Sequence, residues 1–302
     1  MTKRLGGIVV NDCVDLDVRP GDFFGILGHN GAGKTTLVKQ MVGLLRPTEG
    51  VLQYCGINVT KAGHIVCRDV GYMPQSAHAL NALNVAESLL FTARLKGLRR
   101  NLAARERDRV ADLLGLASLM DRTARTLSGG ERRLLQVGVA LVADPLVLVL
   151  DEPTNEMDPV RRRQVWELLW RLNRHEGKTV VMVTHSPREA EQVLSRVAMM
   201  DAGRVVRTGT PADLVASADG RLRLRVSMDG CDSRRRAMIL KRLRTVCPTA
   251  QETFDAIVGM VPRGAIEQAV HTLERLSVHD FSLAPLGLED VYVRELTTDG
   301  RL

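Results

Sequence analysis

The sequence predicts an α/β fold, with a mainly parallel β-sheet covered by helices on both faces and a smaller α/β unit after it. Short, almost wholly apolar runs, typical of strands buried on both faces, occur at Phe23 to Leu27, Leu146 to Leu150 and Thr179 to Thr184. Stretches of helical period at Lys34 to Leu45 and Val160 to Asn173 alternate with them. Such alternation is typical of a parallel sheet between two helical layers.

Shorter patterns predict the remaining elements of the larger domain. Apolar and polar residues alternate from Ile8 to Val18, which predicts a half-buried strand. Two further strands are predicted at Val51 to Tyr54 and Val70 to Met73. From Asn84 to Leu116 the period becomes helical, with Asn101 as the expected cap of a helix. Another helix follows, so residues 84–142 are expected to form a helical region.

The character of the chain changes between Val215 and Gly220, where small and polar residues accumulate. Strand and helix patterns then alternate at Leu222 to Val226, Ala237 to Val246, Ala256 to Val261, Ala265 to Leu276 and Phe281 to Leu283. We therefore predict a larger domain over residues 1–217 and a small C-terminal α/β domain over residues 218–302.

The composition is that of an ordinary globular protein, with 45% hydrophobic and 25% charged residues. A net charge of +7 leaves open a polyanionic partner, an anionic membrane surface, or a solvated arginine-rich surface. Five scattered cysteines with no CxxC pair predict no disulfide framework and fit a reducing cytoplasm. Polar residues interrupt the longest apolar region, Leu134 to Leu150, so any membrane span is expected to belong to another chain.

The stretch GHNGAGKTT lies between a predicted buried strand and a predicted helix. A glycine-rich loop in this context points successive N–H groups at phosphate oxygens, and the helix adds the positive end of its dipole. Lys34 is expected to reach the β- and γ-phosphates, and the Thr35 hydroxyl to ligate Mg²⁺. The candidate nucleotide-binding residues are Gly28, His29, Asn30, Gly31, Ala32, Gly33, Lys34, Thr35 and Thr36.

Polar residues also follow three other predicted strands, and ligands of open parallel sheets bind at that edge. Asp151 is expected to hold Mg²⁺, and Glu152 to accept a proton from the attacking water. His185 leaves its strand at the same edge, which favours a contact with the γ-phosphate, and Gln75 is a candidate for sensing Mg²⁺ or water. Each residue alone also fits a structural role: an acidic helix cap, a structural histidine or a loop residue.

The motif LSGGE, from Leu127 to Glu131, precedes an apolar helix. Ser128 is expected to cap this helix, and Gly129 and Gly130 permit close approach of an anion to its N-terminus. A plain capped helix is the better explanation when the motif is considered alone. Beside the glycine-rich loop, however, it gives the chain a second anion-binding helix N-terminus.

In this order, the motifs resemble those of the ATPase subunit of an ABC transporter, over residues 1–217. The matching segments are the Walker A loop (Gly28 to Thr36), Q-loop (Gln75), signature (LSGGE for LSGGQ), Walker B strand (Leu146 to Glu152), D-loop (Asn155 to Asp158) and switch histidine (His185). The resemblance implies a P-loop NTPase with a RecA-like core, an antiparallel β subdomain and a helical subdomain. It also implies ATP, Mg²⁺ held by Thr35, Gln75 and Asp151, and a role for Asp158 at the nucleotide. The expected assembly is a homodimer in which Ser128, Gly129 and Gly130 meet the partner's ATP.

A finer resemblance concerns the class of transporter. VGYMPQ, DEPTNEMDPVRRRQVW and GLEDVYVREL are similar to segments of two-component drug and polyketide-antibiotic exporters of the daunorubicin type. This implies efflux through a separate transmembrane permease that docks on the helical subdomain, at the cytoplasmic face of the membrane. An amino-acid-type import ATPase, to which the Gly6-Gly7 start is similar, stays open. A nucleic-acid-associated ABC ATPase is a further alternative, but the basic charge is its only support. The sequence has neither coiled-coil insertions nor a second motif set, so no nucleic acid is expected.

Two residues depart from the family pattern. Leu5 stands where family members carry an aromatic residue that stacks on adenine, so weaker and less base-selective nucleotide binding is expected. Glu131 replaces the signature glutamine, and a carboxylate in the first turn of a helix suits the helix dipole.

Overall fold

The chain folds into two compact units, Met1–Thr210 and Pro211–Leu302. The structure, a computed structural model, describes residues 1–76, 80–187, 191–216 and 220–298. The sequence placed the domain boundary after residue 217, whereas the units divide before Pro211. The reason is that the short helix Pro211–Ala216 packs against Leu288–Thr298, the last helix of the second unit.

The elements of the first unit follow one another in the α/β order that the sequence predicts. They are β1 (Lys3–Leu5), β2 (Ile8–Asn11), β3 (Phe23–Gly28), α1 (Lys34–Met41), β4 (Gln53–Tyr54), β5 (Ile57–Asn58), α2 (Gly63–Asp69), β6 (Val70–Met73), α3 (Val85–Leu95), α4 (Arg100–Leu113), α5 (Gly129–Leu141), β7 (Val147–Asp151), α6 (Pro159–Arg174), β8 (Thr179–Thr184), β9 (Arg196–Asp201) and β10 (Arg204–Gly209).

One sheet organises this unit, with the strand order β10-β9-β3-β8-β7-β6. All neighbouring strands are parallel except β10, which runs antiparallel to β9. One face of the sheet packs on α1, where Phe24 and Ile26 meet Leu37 and Val38 in a buried cluster. On β3, Phe23 alternates with Phe24 and lies 6.2 Å, between ring centroids, from Trp166 of α6. Each such fully buried side chain contributes about 1.5–3 kcal/mol relative to exposure.

Two small antiparallel hairpins, β1–β2 and β4–β5, accompany the parallel sheet, and an isolated bridge joins Thr2 to Glu49. The predicted strand from Ile8 to Val18 is wrong beyond β2, because Cys13 adopts a φ of +47° that ends the extended backbone. In β1, Leu5 is exposed at its hairpin turn. The prediction for its effect on base selectivity stays a prediction.

Helices α3, α4 and α5 form the helical region. Asn84 begins α3 with a capping box, in which its side chain accepts from the Glu87 N–H and Glu87 accepts in return. The predicted cap Asn101 is wrong, because α4 already begins at Arg100. The α3–α4 pair and α5 pack together.

The contact between β6 and α5 depends on Gly71. A Cβ atom on Gly71 would lie 2.0 Å from the Ala140 carbonyl oxygen, closer than any real contact. We expect Gly71→Ala to lower the free energy of unfolding by about 1–3 kcal/mol through overpacking. Gly63→Ala is the matched control, because a Cβ there meets open space. Denaturation curves that do not separate the two variants would contradict this account of the interface.

The second unit contains an antiparallel sheet and, in its described residues, four α-helices. Its elements are α7 (Pro211–Ala216), β11 (Arg221–Ser227), α8 (Ser233–Leu243), β12 (Gln251–Glu252), β13 (Ala256–Pro262), α9 (Ile266–Arg275), β14 (Phe281–Pro285) and α10 (Leu288–Thr298). The strand order is β12-β13-β11-β14. Leu224 and Val226 of the central strand pack with Ile239, Leu243 and Leu273 of the helices. The predicted small α/β tail is therefore present, with β12, α7 and α10 in addition.

Within the described ranges, we find no helix whose length and hydropathy suffice to cross a membrane.

Candidate nucleotide-binding and hydrolysis site

The candidate site lies along one edge of the parallel sheet. Strands β3, β8, β7 and β6 are neighbours and run in the same direction, so their carboxyl ends meet there. The glycine-rich loop follows β3, and His185 follows β8. Asp151 ends β7 with Glu152 directly after it, and Gln75 lies two residues after β6. Gly28 and His185, which are 157 positions apart in the chain, are thus brought to one edge by the topology of the sheet.

Lys34 is held inside the glycine-rich loop. Its Nζ donates to the carbonyls of Gly28 at 2.7 Å and His29 at 2.9 Å. The side chain is buried, and desolvation lowers the pKa of Lys34, while Glu152 and Asp151 act in the opposite direction. Just before it, Gly33 has a φ of +92°, and a Cβ there would lie 2.5 Å from the Val10 carbonyl. Only glycine fits this position, as a close-packed phosphate loop requires.

The loop is fixed from behind by contacts that the sequence did not predict. Asn11, wholly buried, donates to the Gly33 carbonyl at 3.1 Å and accepts from Gln40 at 2.9 Å. At the other side of the loop, His29 Nε2 lies 2.8 Å from a carboxylate oxygen of Asp201, which ends β9. Asn30 and Gly31 lie exposed at the tip, and Ala32 is buried.

Thr35 and Asp151 form an oxygen-rich pair beside Lys34. The Thr35 hydroxyl donates to Oδ2 of Asp151 at 2.8 Å. Within the described residues, the other oxygen, Oδ1, is buried without any hydrogen-bond partner. Burial raises the pKa of Asp151, against the lowering by the Thr35 hydrogen bond and the charge of Lys34. A hydroxyl and an unpaired carboxylate oxygen are hard oxygen donors of the kind that Mg²⁺ prefers, so the residues present fit this ion.

Glu152 is held on three sides. Its N–H donates to the Val183 carbonyl at 3.0 Å, and its φ of +53° lies in the left-handed region. Of its two carboxylate oxygens, Oε1 lies 3.2 Å from Nδ1 of His185, and Oε2 accepts from the Asn155 amide. The carboxylate is buried, whereas half of the His185 side chain is exposed. Strain of this kind clusters at functional sites. The sequence analysis predicted Glu152 and His185 as site residues, but it did not predict the contact between Glu152 and Asn155.

Gln75 lies at the same edge with an exposed side chain. Its backbone carbonyl accepts from Nη1 of Arg133 at 2.6 Å. The structure therefore fixes the backbone of Gln75 through a residue that the sequence analysis missed. An arginine among the buried residues of the apolar helix α5 was the available signal.

The signature residues lie at the N-terminus of α5. Ser128 Oγ accepts from the Glu131 N–H at 3.3 Å, and Glu131 Oε2 accepts from the Ser128 N–H at 2.9 Å. Gly129 lies against Glu156, and Gly130 lies against Arg161. These contacts are with the D-loop segment and α6, not with the glycine-rich loop, and a role on a partner's nucleotide stays a prediction.

Asp158 begins α6 as its N-cap. Its Oδ1 accepts from the N–H groups of Val160 and Arg161, both at 3.0 Å. These bonds, that from Arg161 first, lower the pKa of Asp158. The side chain thus has a structural role in the chain itself, and its predicted role at the nucleotide stays a prediction.

The Ser128–Glu131 capping box gives a testable pH dependence. The hydrogen bonds from Ser128 hold the pKa of Glu131 below its ordinary 4.5. A lowered folded-state pKa adds stability above the ordinary pKa, and this stability is lost as the pH falls through the lowered value. The stability difference between wild type and Glu131→Gln should therefore be present near neutral pH and disappear in acid.

Ser128→Ala provides the second arm, because it removes a cap worth about 1 kcal/mol. Melting curves of the three proteins between neutral and acid pH measure both effects. A difference between wild type and Glu131→Gln that does not change with pH would contradict the capping role of the carboxylate.

Comparison with known proteins identifies the family. Residues 12–155 match the family described as ABC transporter. The chain is 34% identical over 303 residues to the daunorubicin/doxorubicin resistance ATP-binding protein DrrA of Streptomyces peucetius, covering 97% of this chain and 89% of that protein. The chain belongs to the ABC transporter family. The Nod factor export ATP-binding protein I of Cupriavidus metallidurans is 38% identical to this ABC ATPase over 218 residues, 72% of each protein.

The fold agrees with that of solved ABC cassettes. The ATP-binding cassette MJ0796, in a dimeric post-hydrolysis state bound to ADP and Pi, superposes with a TM-score of 0.65 at 24% identity. The match covers 69% of this chain and 94% of that one. The predictions of a P-loop NTPase fold, an ABC ATPase and ATP as its nucleotide are confirmed.

Proposed function

We propose that this ABC ATPase hydrolyses ATP with Mg²⁺ between two copies of itself and so powers export through a separate membrane protein. The single observation that carries the proposal is the row of side chains at the sheet edge: Lys34 in its loop, Thr35 on Asp151, and Glu152 beside His185. A cation, an oxygen donor set and a fixed carboxylate are the groups that phosphoryl transfer to water requires.

Each residue then has a stated role. The loop N–H groups and Lys34 bind the phosphates. Thr35, Asp151 and Gln75 would hold Mg²⁺, which would supply positive charge to neutralise the transferring phosphoryl group. Glu152 accepts a proton from the water whose oxygen attacks the γ-phosphorus. The bond from that phosphorus to the bridging oxygen breaks, and ADP takes the electron pair. His185, next to Glu152, contacts the γ-phosphate.

A second copy is proposed to complete the site. Ser128, Gly129 and Gly130 lie at a helix N-terminus whose N–H groups and dipole favour an anion. Within their own chain, Gly129 and Gly130 lie against the D-loop segment and α6 rather than against the loop that binds the phosphates. The solved cassette that the fold resembles is dimeric, which supports a paired assembly. Asp158 of the D-loop is then proposed to lie near the nucleotide.

Export of a drug-like or antibiotic-like amphiphile is the direction that we propose. Support comes from the relatives named above, one of them similar along nearly the whole chain. We further propose that the membrane protein docks on the helical subdomain, at the cytoplasmic face. Import by a related ATPase is the alternative.

Phosphate release by the purified chain tests the hydrolysis. We expect turnover with Mg²⁺-ATP and none after chelation of the metal by EDTA. Direction is tested in inverted membrane vesicles that contain the chain and its membrane partner, with fluorescent doxorubicin as the probe. ATP-dependent uptake into inverted vesicles is expected for export. Uptake into right-side-out vesicles would establish import, and no phosphate release in either system would refute the proposed function.

A further inference from the structure

Arg133 is a buried cation in the helix that begins with the signature. It lies five residues after Ser128, the N-cap of α5, which is about 7.5 Å along the helix axis. Its side chain is almost wholly buried, at 6% exposure for the residue. Burial lowers the pKa of Arg133, although Glu156, Asp151 and Glu152 act against this shift.

The guanidinium donates to backbone carbonyls of two separate strand ends. Nη1 donates to Gln75 at 2.6 Å and also to the side chain of Gln136 at 2.8 Å. Nη2 donates to the carbonyls of Asp151, at 3.1 Å, and Glu152, and Nε donates to Glu152 at 3.2 Å. All of these acceptors are neutral oxygens. The planar fork of five N–H donors is the reason that one side chain reaches β6, β7 and α5 together.

Burying an arginine side chain costs desolvation free energy, so a buried arginine is expected to do more than fill space. A guanidinium taken out of water and bonded to neutral oxygens lacks the compensation that a paired carboxylate gives. An apolar side chain of similar volume stabilises a helix–sheet contact more simply. The bonds themselves therefore indicate what Arg133 contributes, which is the orientation of specific peptide groups.

The peptide groups concerned are those that aim Glu152. The N–H of Glu152 is fixed on Val183 at 3.0 Å, and its carbonyl is fixed on Arg133. Between these two anchors, the residue holds a φ of +53°. A non-glycine residue persists in this region only where its surroundings determine its conformation. Without the guanidinium, one of the two backbone anchors is lost, so the peptide that carries the carboxylate is less firmly oriented and the side-chain contacts with His185 and Asn155 alone remain to aim it.

We propose that Arg133 is a positioning residue for hydrolysis: it orients Glu152 and the Gln75 backbone, and links both to the signature helix. The inference rests on the proposed role of Glu152 as proton acceptor. Because Arg133 is carried by α5, any shift of the signature end of that helix is transmitted to the carbonyls of Gln75 and Glu152. The signature thereby affects the carboxylate in its own chain, besides any contact with a partner.

The test compares Arg133→Gln and Arg133→Lys with Lys178→Met in the full chain. Lys178 is a suitable control because it is also a buried cation bonded to backbone, at the opposite end of β7, where Nζ donates to Asp144 at 2.6 Å and to the Pro145 carbonyl at 3.0 Å. Phosphate release gives kcat and KM, ATP titration gives the dissociation constant, and melting temperature reports the stability of each variant.

We expect Arg133→Gln to lower kcat by about 10²-fold, as a displacement of about 1 Å at a reacting group does. ATP affinity should stay within about threefold, since the phosphate loop is untouched. Arg133→Lys should recover part of kcat, because an ammonium retains a charged donor in the same place. Lys178→Met should lower the melting temperature and leave kcat unchanged. If Arg133→Gln does not fold, Arg133→Lys carries the same comparison.

Coupling to Glu152 provides a readout that a purely structural role does not affect. In a Glu152→Gln background, Arg133→Gln should cause little further loss of kcat, because both changes disable one step. Full additivity, an unchanged kcat in Arg133→Gln, or an equal loss in Lys178→Met would overturn the inference. A wild-type chain that hydrolyses no ATP would instead overturn the proposed function.

Discussion

Replacing Glu152 with glutamine is expected to lower kcat for ATP hydrolysis by about 10²–10⁴-fold, the usual contribution of a positioned general base. The amide keeps the shape of the side chain and one oxygen for the Asn155 contact, but it does not accept a proton from water. The loop around Lys34 is unaffected, so ATP should bind as before. Phosphate release and ATP titration measure the two effects separately, and light scattering should detect an ATP-bound dimer.

Glu167→Gln is the matched control for this experiment. It makes the same chemical change on α6, where Glu167 is exposed and pairs with Arg163 on the surface. Exposed pairs of this kind contribute about 0–1 kcal/mol, so kcat should be unchanged. Equal rates for wild type and Glu152→Gln would show that another group accepts the proton. Equal losses in both variants would point to a general effect of charge.

The sequence predicted those parts of the site that are contiguous or that end a strand. The loop from Gly28 to Thr36 is contiguous, and Asp151 and Glu152 directly follow an apolar run. Once the sheet was predicted to be parallel, its topology placed these residues at one edge. The spacing along the chain therefore held enough information for the motifs and for the order of the strands.

Contacts between distant segments were not predictable in this way. Asn11 supports a loop 22 residues away, and Arg133 bonds to a carbonyl 58 residues away. An arginine within an apolar helix is visible in the sequence, but the local pattern does not identify the carbonyls that Asn11 or Arg133 contacts, since both contacts depend on how the elements pack. The left-handed φ of Cys13, which shortens the first predicted strand, is also fixed by tertiary structure because cysteine does not favour that conformation. The predicted role of the signature residues, contact with a partner's ATP, requires a second subunit. The packing within one chain therefore does not test this prediction.

Removing the charge of Lys34 is expected to abolish most of the nucleotide affinity. Its Nζ is buried and bonded to the Gly28 and His29 carbonyls, and burial lowers its pKa because the positive charge has lost water. Its hydrogen bonds go to neutral carbonyls, and a phosphate group would add negative charge directly beside the ammonium group. Truncating one member of a buried, hydrogen-bonded charge pair costs about 2–5 kcal/mol, so Lys34→Ala should weaken ATP binding by about 30-fold or more.

Calorimetric titration of ATP in the presence of Mg²⁺ measures this loss. Lys39→Ala is the matched control, because Lys39 lies on the same helix in its last turn, away from the loop. Its removal should change affinity by less than about threefold, in keeping with a surface charge. The two variants distinguish a local effect of charge from a general one. A loss of ATP affinity confined to Lys34→Ala would place the phosphates in the loop. Equal losses in both variants would mean that the net charge of the chain attracts the nucleotide. Unchanged affinity in Lys34→Ala would show that the loop N–H groups alone bind the phosphates.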